Sequence, residues 1–322
     1  MERENQFVGQ SGAFLDAVER ASRAAPMARP VLVIGERGTG KELIAERLHR
    51  LSDRWEEPLV TMNCAALPET LIEAELFGHE AGAFTGATKA RVGRFEEADR
   101  GTLFLDELGT LSMGAQERLL RAVEYGEVTR IGASRPTRVD VRIVAATNED
   151  LPRLAGEGRF RPDLLDRLSF EVITLPPLRV REGDIPVLAD YFGRRMAAEL
   201  GWEEWPGFAS HIAEAMENHP WPGNVRELRN VVERQVIACE SEEILAEHVP
   251  AEVRGEKSVT ASPPPDGSPG TFKGLKAEAE RRILLAALER NDWHISRTAA
   301  ELGLADHASL LKIMRRHGLN RK

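Results

Sequence analysis

Residues 31–42 read VLVIGERGTGKE. Four apolar residues, Val31 to Ile34, run into a turn holding Gly35, Gly38 and Gly40. An apolar-periodic segment follows through Leu43, Ile44, Leu48 and Leu51. Buried strand, glycine-rich turn and helix, in that order, are the context of a phosphate-binding loop. The glycines let several backbone N–H groups converge on one concavity, and the helix adds its positive end. Lys41 reaches outer phosphates as a mobile point charge. The expected nucleotide-binding set is therefore Gly35, Glu36, Arg37, Gly38, Thr39, Gly40, Lys41 and Glu42. Glu42 stands where Ser or Thr ordinarily ligates Mg²⁺, so the metal has to depend on carboxylates elsewhere or on water held by Glu42. The bland alternative is a glycine-rich turn with an exposed lysine.

At 322 residues the chain is long enough for two or three domains, and 42% hydrophobic with 30% charged residues reads as a globular protein. No apolar run is long enough to span a bilayer. Cys64 and Cys239 are the only cysteines and form no CxxC pair, which makes a reduced, cytoplasmic compartment the expectation. The eight histidines show no metal-ligand spacing. The net charge of −9 is uneven: residues 273–322 carry eleven Lys/Arg and six Asp/Glu, net +5, leaving −14 for the rest. A small basic segment on a large acidic body points to a local nucleic-acid site.

Outward from the loop, residues 12–25 read as a short amphipathic helix, and Pro58 to Met62 as a short strand ending at Asn63-Cys64. A helical stretch, Glu69 to Phe77, leads into HEAGAFTGATKAR. The segment GTLFLDE, Gly101 to Glu107, is an apolar strand ending in two carboxylates. This is the Walker B form, with Asp106 for Mg²⁺ and Glu107 to polarise a water; the alternative is a strand end with solvated acids. Helix is expected over Ala115 to Tyr125. A strand is expected over Val139 to Ala146, stopping at Thr147-Asn148. Strands alternating with helices predict an α/β fold with a parallel sheet and helices on both faces. GRFRPDLLDRL, Gly158 to Leu168, carries Arg161 before a helix and Arg167 within it; local pairing with Asp163 and Asp166 is the competing use of those arginines. Residues 184–200 and 208–218 read as helices. WPGNVRELRNVVERQV, Trp221 to Val236, opens a further helix with Arg226 in its first turn. A Pro-, Gly- and Ser-dominated stretch, 255–272, reads as a flexible linker. Beyond it lie three short helical segments with Gly303 near a turn and Asp306 as an N-cap, a helix-turn-helix pattern whose last helix presents His307, Ser309, Lys312, Arg315 and Arg316 to DNA. A basic three-helix docking domain is the alternative.

GERGTGKE, ELFGHEAGAFTGA, GTLFLDE, AATN, FRPDLLDRL and WPGNVRELRN occur in this order. Over residues 6–250 the chain thereby resembles the AAA+ domain of the sigma-54-dependent transcriptional activators, the bacterial enhancer-binding proteins, and its tail resembles their Fis-type DNA-binding domain. The resemblance implies an AAA+ P-loop ATPase subdomain over 1–180 with a GAFTGA loop and a helical lid over 181–254. It implies the linker over 255–272 and the helix-turn-helix domain over 273–322, with no receiver or sensor domain ahead of the ATPase. It implies ATP and Mg²⁺ as cofactors, the nucleotide lying between subunits of a homo-oligomeric, hexameric ring. Asp106 then holds Mg²⁺ and Glu107 activates water. Asn63 restrains Glu107, Thr147 and Asn148 form the first sensor, Arg226 forms the second, and Arg161 and Arg167 are fingers for the neighbour's ATP. Gly82, Ala83, Phe84, Thr85, Gly86 and Ala87 contact sigma-54; the alternative is a hairpin with Phe84 buried. The partners implied are sigma-54 RNA polymerase holoenzyme and upstream enhancer DNA. The implied work is conversion of the closed promoter complex to the open one, at an operon of the phage-shock or envelope-stress kind.

The helix-turn-helix spacing differs by one residue from the usual form, which leaves the recognition register open. Trp55, in SDRWEEP, is by resemblance the contact for an inhibitory partner of the phage shock protein A type, and otherwise a partly packed Trp. Two competing classes are a nucleotide-binding DNA repressor or architectural protein, which needs neither Glu107 nor GAFTGA, and an AAA+ helicase or clamp loader, which does not need a helix-turn-helix on a long linker.

Overall fold

The computed structural model describes residues 7–238 and eight further positions between 287 and 314. The chain divides into two compact units, Met1–Glu256 and Lys257–Lys322. In the second, Ala287, Leu288, Thr298 and Met314 are buried. The linker 255–272 and the five residues expected to meet DNA, His307, Ser309, Lys312, Arg315 and Arg316, lie outside the described residues.

In the first unit, α1 (Gly12–Ala24) precedes β1 (Val31–Ile34), and α2 (Lys41–Arg50) leads to β2 (Leu59–Asn63). Then come α3 (Glu69–Phe77), α4 (Arg94–Glu97), β3 (Thr102–Asp106) and α5 (Met113–Tyr125). A two-stranded ribbon, β4 (Glu127–Val128) and β5 (Thr137–Arg138), is followed by β6 (Arg142–Thr147), α6 (Leu151–Gly156), α7 (Pro162–Leu168) and β7 (Glu171–Thr174). Three helices follow among the described residues: α8 (Asp184–Glu199), α9 (Ser210–Asn218) and α10 (Asn224–Ala238). The five main strands form one parallel sheet in the order β2-β3-β6-β1-β7.

Successive residues of a strand face opposite ways, so each strand feeds two cores. Val31, Val33, Phe104, Val144 and Ile173 pack with α1 and α2 on one face. Leu32, Leu103, Leu105, Ile143 and Ala145 pack with α3, α5, α6 and α7 on the other. Burial on both faces explains why these strands read as continuous apolar runs. Each fully buried Leu or Phe of this set stabilises by roughly 1.5–3 kcal/mol. The α8–α10 lid has its own core around Trp221, which is fully buried and donates its indole N–H to the Met216 carbonyl at 2.7 Å.

The sheet also buries a charge. Arg142, at the start of β6, donates to the Ala24 and Ala25 carbonyls at 2.9 and 2.7 Å and to Leu48 O at 3.1 Å. These are the last carbonyls of α1 and α2, the negative ends of both helices. Burial, with Arg54 nearby, pushes the Arg142 pKa down to about 10.

Strand β6 starts three residues later than the apolar pattern predicts. The N–H of Val139 goes to Gly126 O and that of Asp140 to the Asp99 carboxylate, so neither joins the sheet ladder. Among the described residues no helix is long and apolar enough to cross a membrane.

Candidate nucleotide site and effector loop

Parallel strands bring their carboxyl ends to one edge of the sheet. Register pairs Ile34 with Thr147, and Asn63 with Asp106. Gly35, Asn63, Asp106, Glu107, Thr147 and Asn148 therefore gather at a single rim. Gly38 (φ 77°) and Gly40 (φ 96°) are left-handed, and Gly40 caps α2. Gly38 is required twice over: a Cβ there would stand 2.2 Å from the Gly223 carbonyl of the lid. Thr39 is buried and its hydroxyl donates to Glu36 O at 2.8 Å, which closes the turn.

Lys41 is buried, and its ammonium donates to the carbonyls of Gly35 and Glu36 at 3.0 and 3.2 Å. It has no carboxylate partner among the described residues. Burial lowers its pKa, opposed by the charges of Asp106 and Glu107. A buried ammonium with no counter-ion beside a ring of N–H groups is built for an anion. The cleft it lines, of about 250 Å³, also takes Gly38 to Leu43, Asp106, Arg226 and Arg229. Its far wall is apolar, with Val8, Leu188, Tyr191 and Phe192 offering a surface for a flat base. These residues fit a nucleoside polyphosphate. No cluster of three or more metal-ligating side chains exists among the described residues. Asp106 lines the cleft and is a carboxylate that could hold Mg²⁺ together with phosphate and water ligands.

Glu107 ends the Walker B strand in a left-handed conformation, φ 56°, and its N–H is held by the Asp106 carboxylate at 2.9 Å. Its own carboxylate pairs with Arg37, Nε to Oε1 3.2 Å. Asn63 accepts from Ala65 N at 2.8 Å and makes no bond to Glu107. Thr147 is buried, accepting from Glu149 N at 3.0 Å, while Asn148 is exposed. Arg226 is exposed at the start of α10, and its N–H reaches Gly38 O at 3.3 Å. Glu42 is exposed on the cleft wall.

Arg161 forks onto the carboxylate of Asp163 at 3.0 and 2.7 Å, whereas Arg167 reaches Glu124 of α5 at 2.7 Å rather than Asp166. Both arginines therefore carry intrasubunit partners. Neither lines the cleft.

Sequence reasoning missed the contacts of Glu36 and Asn224. Glu36 is bound by the Arg179 fork at 2.8 and 2.6 Å and by Asn224 at 3.1 Å, which holds its carboxyl down at about 2. Asn224 also donates to Arg37 O and accepts from Leu178 N. Only the position of Asn224 just inside PGN, where a left-handed residue starts the helix, hinted at this use.

The GAFTGA segment is a turn. Gly82 (φ 79°) and Gly86 (φ 100°) are left-handed, and Gly82 N donates to Ala87 O at 2.7 Å. Ala83 is half-buried and Ala87 buried, while Thr85 is exposed and Phe84 is 39% exposed with its ring 5.0 Å from that of His79. The stem is tied by paired backbone bonds between His79 and Arg91 and by Arg130, which forks onto Glu96 at 2.7 Å and reaches Glu80 at 3.2 Å. Trp55, in the connection between α2 and β2, is 62% exposed, and its neighbour Arg54 donates to the carbonyl and carboxylate of Asp140 at 2.8 and 2.7 Å.

The parallel sheet, phosphate loop, strand-end carboxylates and helical lid define an AAA+ ATPase. Residues 7–174 match the sigma-54 interaction domain, 179–265 the AAA+ ATPase lid domain, and 277–305 the bacterial regulatory protein, Fis family. The chain belongs to the sigma-54-dependent transcriptional activators, carrying a Fis-type helix-turn-helix for DNA. It is 48% identical to the Psp operon transcriptional activator of Escherichia coli, over 95% of this chain and 96% of that one. Against the E. coli transcriptional regulatory protein ZraR identity is 44%, over 96% of this chain and 68% of the relative. The crystal structure of NtrX from Brucella abortus in complex with ATP matches with TM-score 0.73 and 31% identity, over 98% of this chain and 70% of that chain.

Proposed function

We propose that the chain assembles into a hexameric ring that spends ATP to convert closed sigma-54 promoter complexes to open ones. The likeness to the Psp operon activator along nearly the whole of both chains favours a phage-shock or envelope-stress operon as target, and a cytoplasmic setting. The observation that carries the reading is the pairing of a buried, anion-seeking Lys41 with an exposed Phe84-Thr85 turn on a tied stem. One part is suited to phosphates and the other to a protein partner.

The working assignments follow. The loop Gly35 to Glu42 and Arg226 hold the phosphates, and Asp106 with water holds Mg²⁺, which when bound neutralises phosphate charge. Glu107 orients and activates the attacking water. Asn63, Thr147 and Asn148 report the nucleotide state at the rim. Arg161 and Arg167 swing from Asp163 and Glu124 to a neighbour's phosphates, so that hydrolysis requires assembly; exposed pairs of this kind are weak enough to exchange. The turn Gly82 to Ala87 presses on sigma-54. Working boundaries are 1–180 for the ATPase subdomain, 181–254 for the lid, 255–272 for the linker and 273–322 for the DNA domain, whose His307, Ser309, Lys312, Arg315 and Arg316 meet enhancer DNA. Trp55, exposed and remote from the cleft, serves an inhibitory partner of the phage shock protein A type.

The test is open-complex formation by purified protein on a sigma-54 promoter. Melting should require ATP and vanish with Glu107→Ala, which still binds nucleotide. Melting by Glu107→Ala, or no melting by the unaltered protein, would remove the proposal.

A further inference from the structure

Arg37 sits in the phosphate loop, yet its guanidinium spans to Glu107. Nε lies 3.2 Å from one carboxylate oxygen and Nη2 3.4 Å from the other. The two ends differ: the Arg37 side chain is 66% exposed, the Glu107 side chain 13%. The Arg37 backbone is pinned, because its carbonyl accepts from Asn224 at 3.0 Å. A pinned backbone with a largely exposed side chain leaves the guanidinium free to change partner. Glu107 has less freedom, since its N–H is tied to Asp106 and its backbone is left-handed. The charges of Arg37, Arg226, Asp106 and Glu107 all act on the Lys41 ammonium, so Arg37 is within electrostatic reach of the outer phosphates.

We propose that Glu107 and the terminal phosphate of ATP compete for Arg37. This rests on the ATP-site reading above. Paired to Arg37, each oxygen of Glu107 gives one acceptor site to the guanidinium, which competes with a water for the carboxylate. A terminal phosphate offers more charge and more acceptor oxygens to the same planar fork. Once it takes Arg37, Glu107 is left to meet water. Arg37 is thus a positioning residue that ties the readiness of Glu107 to the presence of a third phosphate. ADP lacks that phosphate and leaves the pair closed.

The experiment is a double-mutant cycle in nucleotide affinity, read by displacement of a fluorescent nucleotide. Unaltered protein, Arg37→Ala, Glu107→Gln and the double variant are titrated with a non-hydrolysable ATP analogue and with ADP. Removing the Glu107 charge relieves repulsion of the phosphates in every background, and that part cancels in the cycle. With Arg37 present, Glu107→Gln should tighten analogue binding by a further factor of about five, the scale of a partly exposed ion pair. That extra factor should be absent with Arg37→Ala, absent with Arg37→Gln as a second test, and absent for ADP. Equal tightening in both Arg37 backgrounds, or the same coupling with ADP, overturns the competition. Lys41→Ala separates the two readings: if it leaves affinity unchanged, the ATP site itself is misassigned. If it weakens binding while the cycle is additive, only the role of Arg37 falls.

Discussion

The side-chain amide of Asn224 donates to Oε2 of Glu36 at 3.1 Å, tying the first residue of lid helix α10 to the phosphate loop. The same amide reaches Arg37 O, and its oxygen accepts from Leu178 N at 2.7 Å. One buried side chain thus joins three segments. The lid touches the loop through this residue and through the close packing of Gly223 on Gly38.

Asn224→Asp keeps the left-handed tolerance and the acceptor but loses both donors and sets a carboxylate against Glu36. Stability should fall by about 2 kcal/mol, the scale of an unpaired buried group. Nucleotide affinity should fall several-fold while Lys41 and Asp106 are intact. Urea unfolding and nucleotide titration on one preparation check both.

Glu36 also sets a pH dependence. Its carboxyl is held at about 2, first by Arg179 and then by Asn224, against about 4.3 in an unfolded chain. A depressed native value means stability that is fully present above the unfolded value and lost as pH falls toward the native one. The difference in unfolding midpoint between the unaltered protein and Glu36→Gln should be constant from pH 7 to 5 and shrink from about pH 4 downward. A difference that grows on acidification contradicts the sign.

Arg142→Met should cost about 3 kcal/mol. It leaves the Ala25 and Leu48 carbonyls without their guanidinium donor in a buried site, each such loss costing roughly 1–3 kcal/mol, while Ala24 O keeps the Met27 N–H at 3.1 Å. Chemical denaturation measures it, and a loss below about 1 kcal/mol would mean that water takes over the guanidinium's place.

Cys64 is fully buried, and burial, aided by Asp106 and Glu107, pushes its thiol up to about 12. The thiolate is the reactive form. In a Cys239→Ser background, Cys64 should resist a disulfide-exchange reagent at pH 8 until denaturant is added. Rapid labelling of the folded protein would show that this side of the rim opens.

Thr85→Ala removes a hydroxyl and a methyl from an exposed tip away from the cleft. ATP turnover should stay within about threefold of the unaltered protein while promoter melting fails. Phe84→Ala should act alike, through loss of an aromatic anchor. Phosphate release and melting are measured together; parallel loss of both would make the turn a structural part of the ATPase.

The sheet was legible because strands buried on both faces must be apolar throughout and must end where the apolar run meets a polar pair, as at Leu105-Asp106 and Ala146-Thr147. The start of β6 was not, because the N–H groups of Val139 and Asp140 are claimed by Gly126 and Asp99, residues distant in sequence. That Lys41 and Asp106 would lie near one another followed from spacing, since a glycine-rich turn and a strand tip dictate what lies beside them, whereas Arg226 was pointed to only by the family resemblance; all three line the one cleft. The partners of Glu107, Arg167 and Glu36 come from other elements. Adjacent helical residues such as Asp166 and Arg167 do not face each other, so Arg167 turns to α5 instead. Local pattern carries no trace of such neighbours.

The stem of the GAFTGA turn is closed by the bonds between His79 and Arg91, and a Cβ at Gly93 would collide with Gly78 N at 2.3 Å, which leaves the base no slack. Thr85 is six residues from either anchor. A fully drawn chain covers about 3.4 Å per residue, so the tip has a maximum stroke radius of about 20 Å from its base. The two legs are equal, so the shorter always limits the throw. Deleting one residue from either leg shortens it by about 3.4 Å, whereas inserting one into a single leg lengthens nothing.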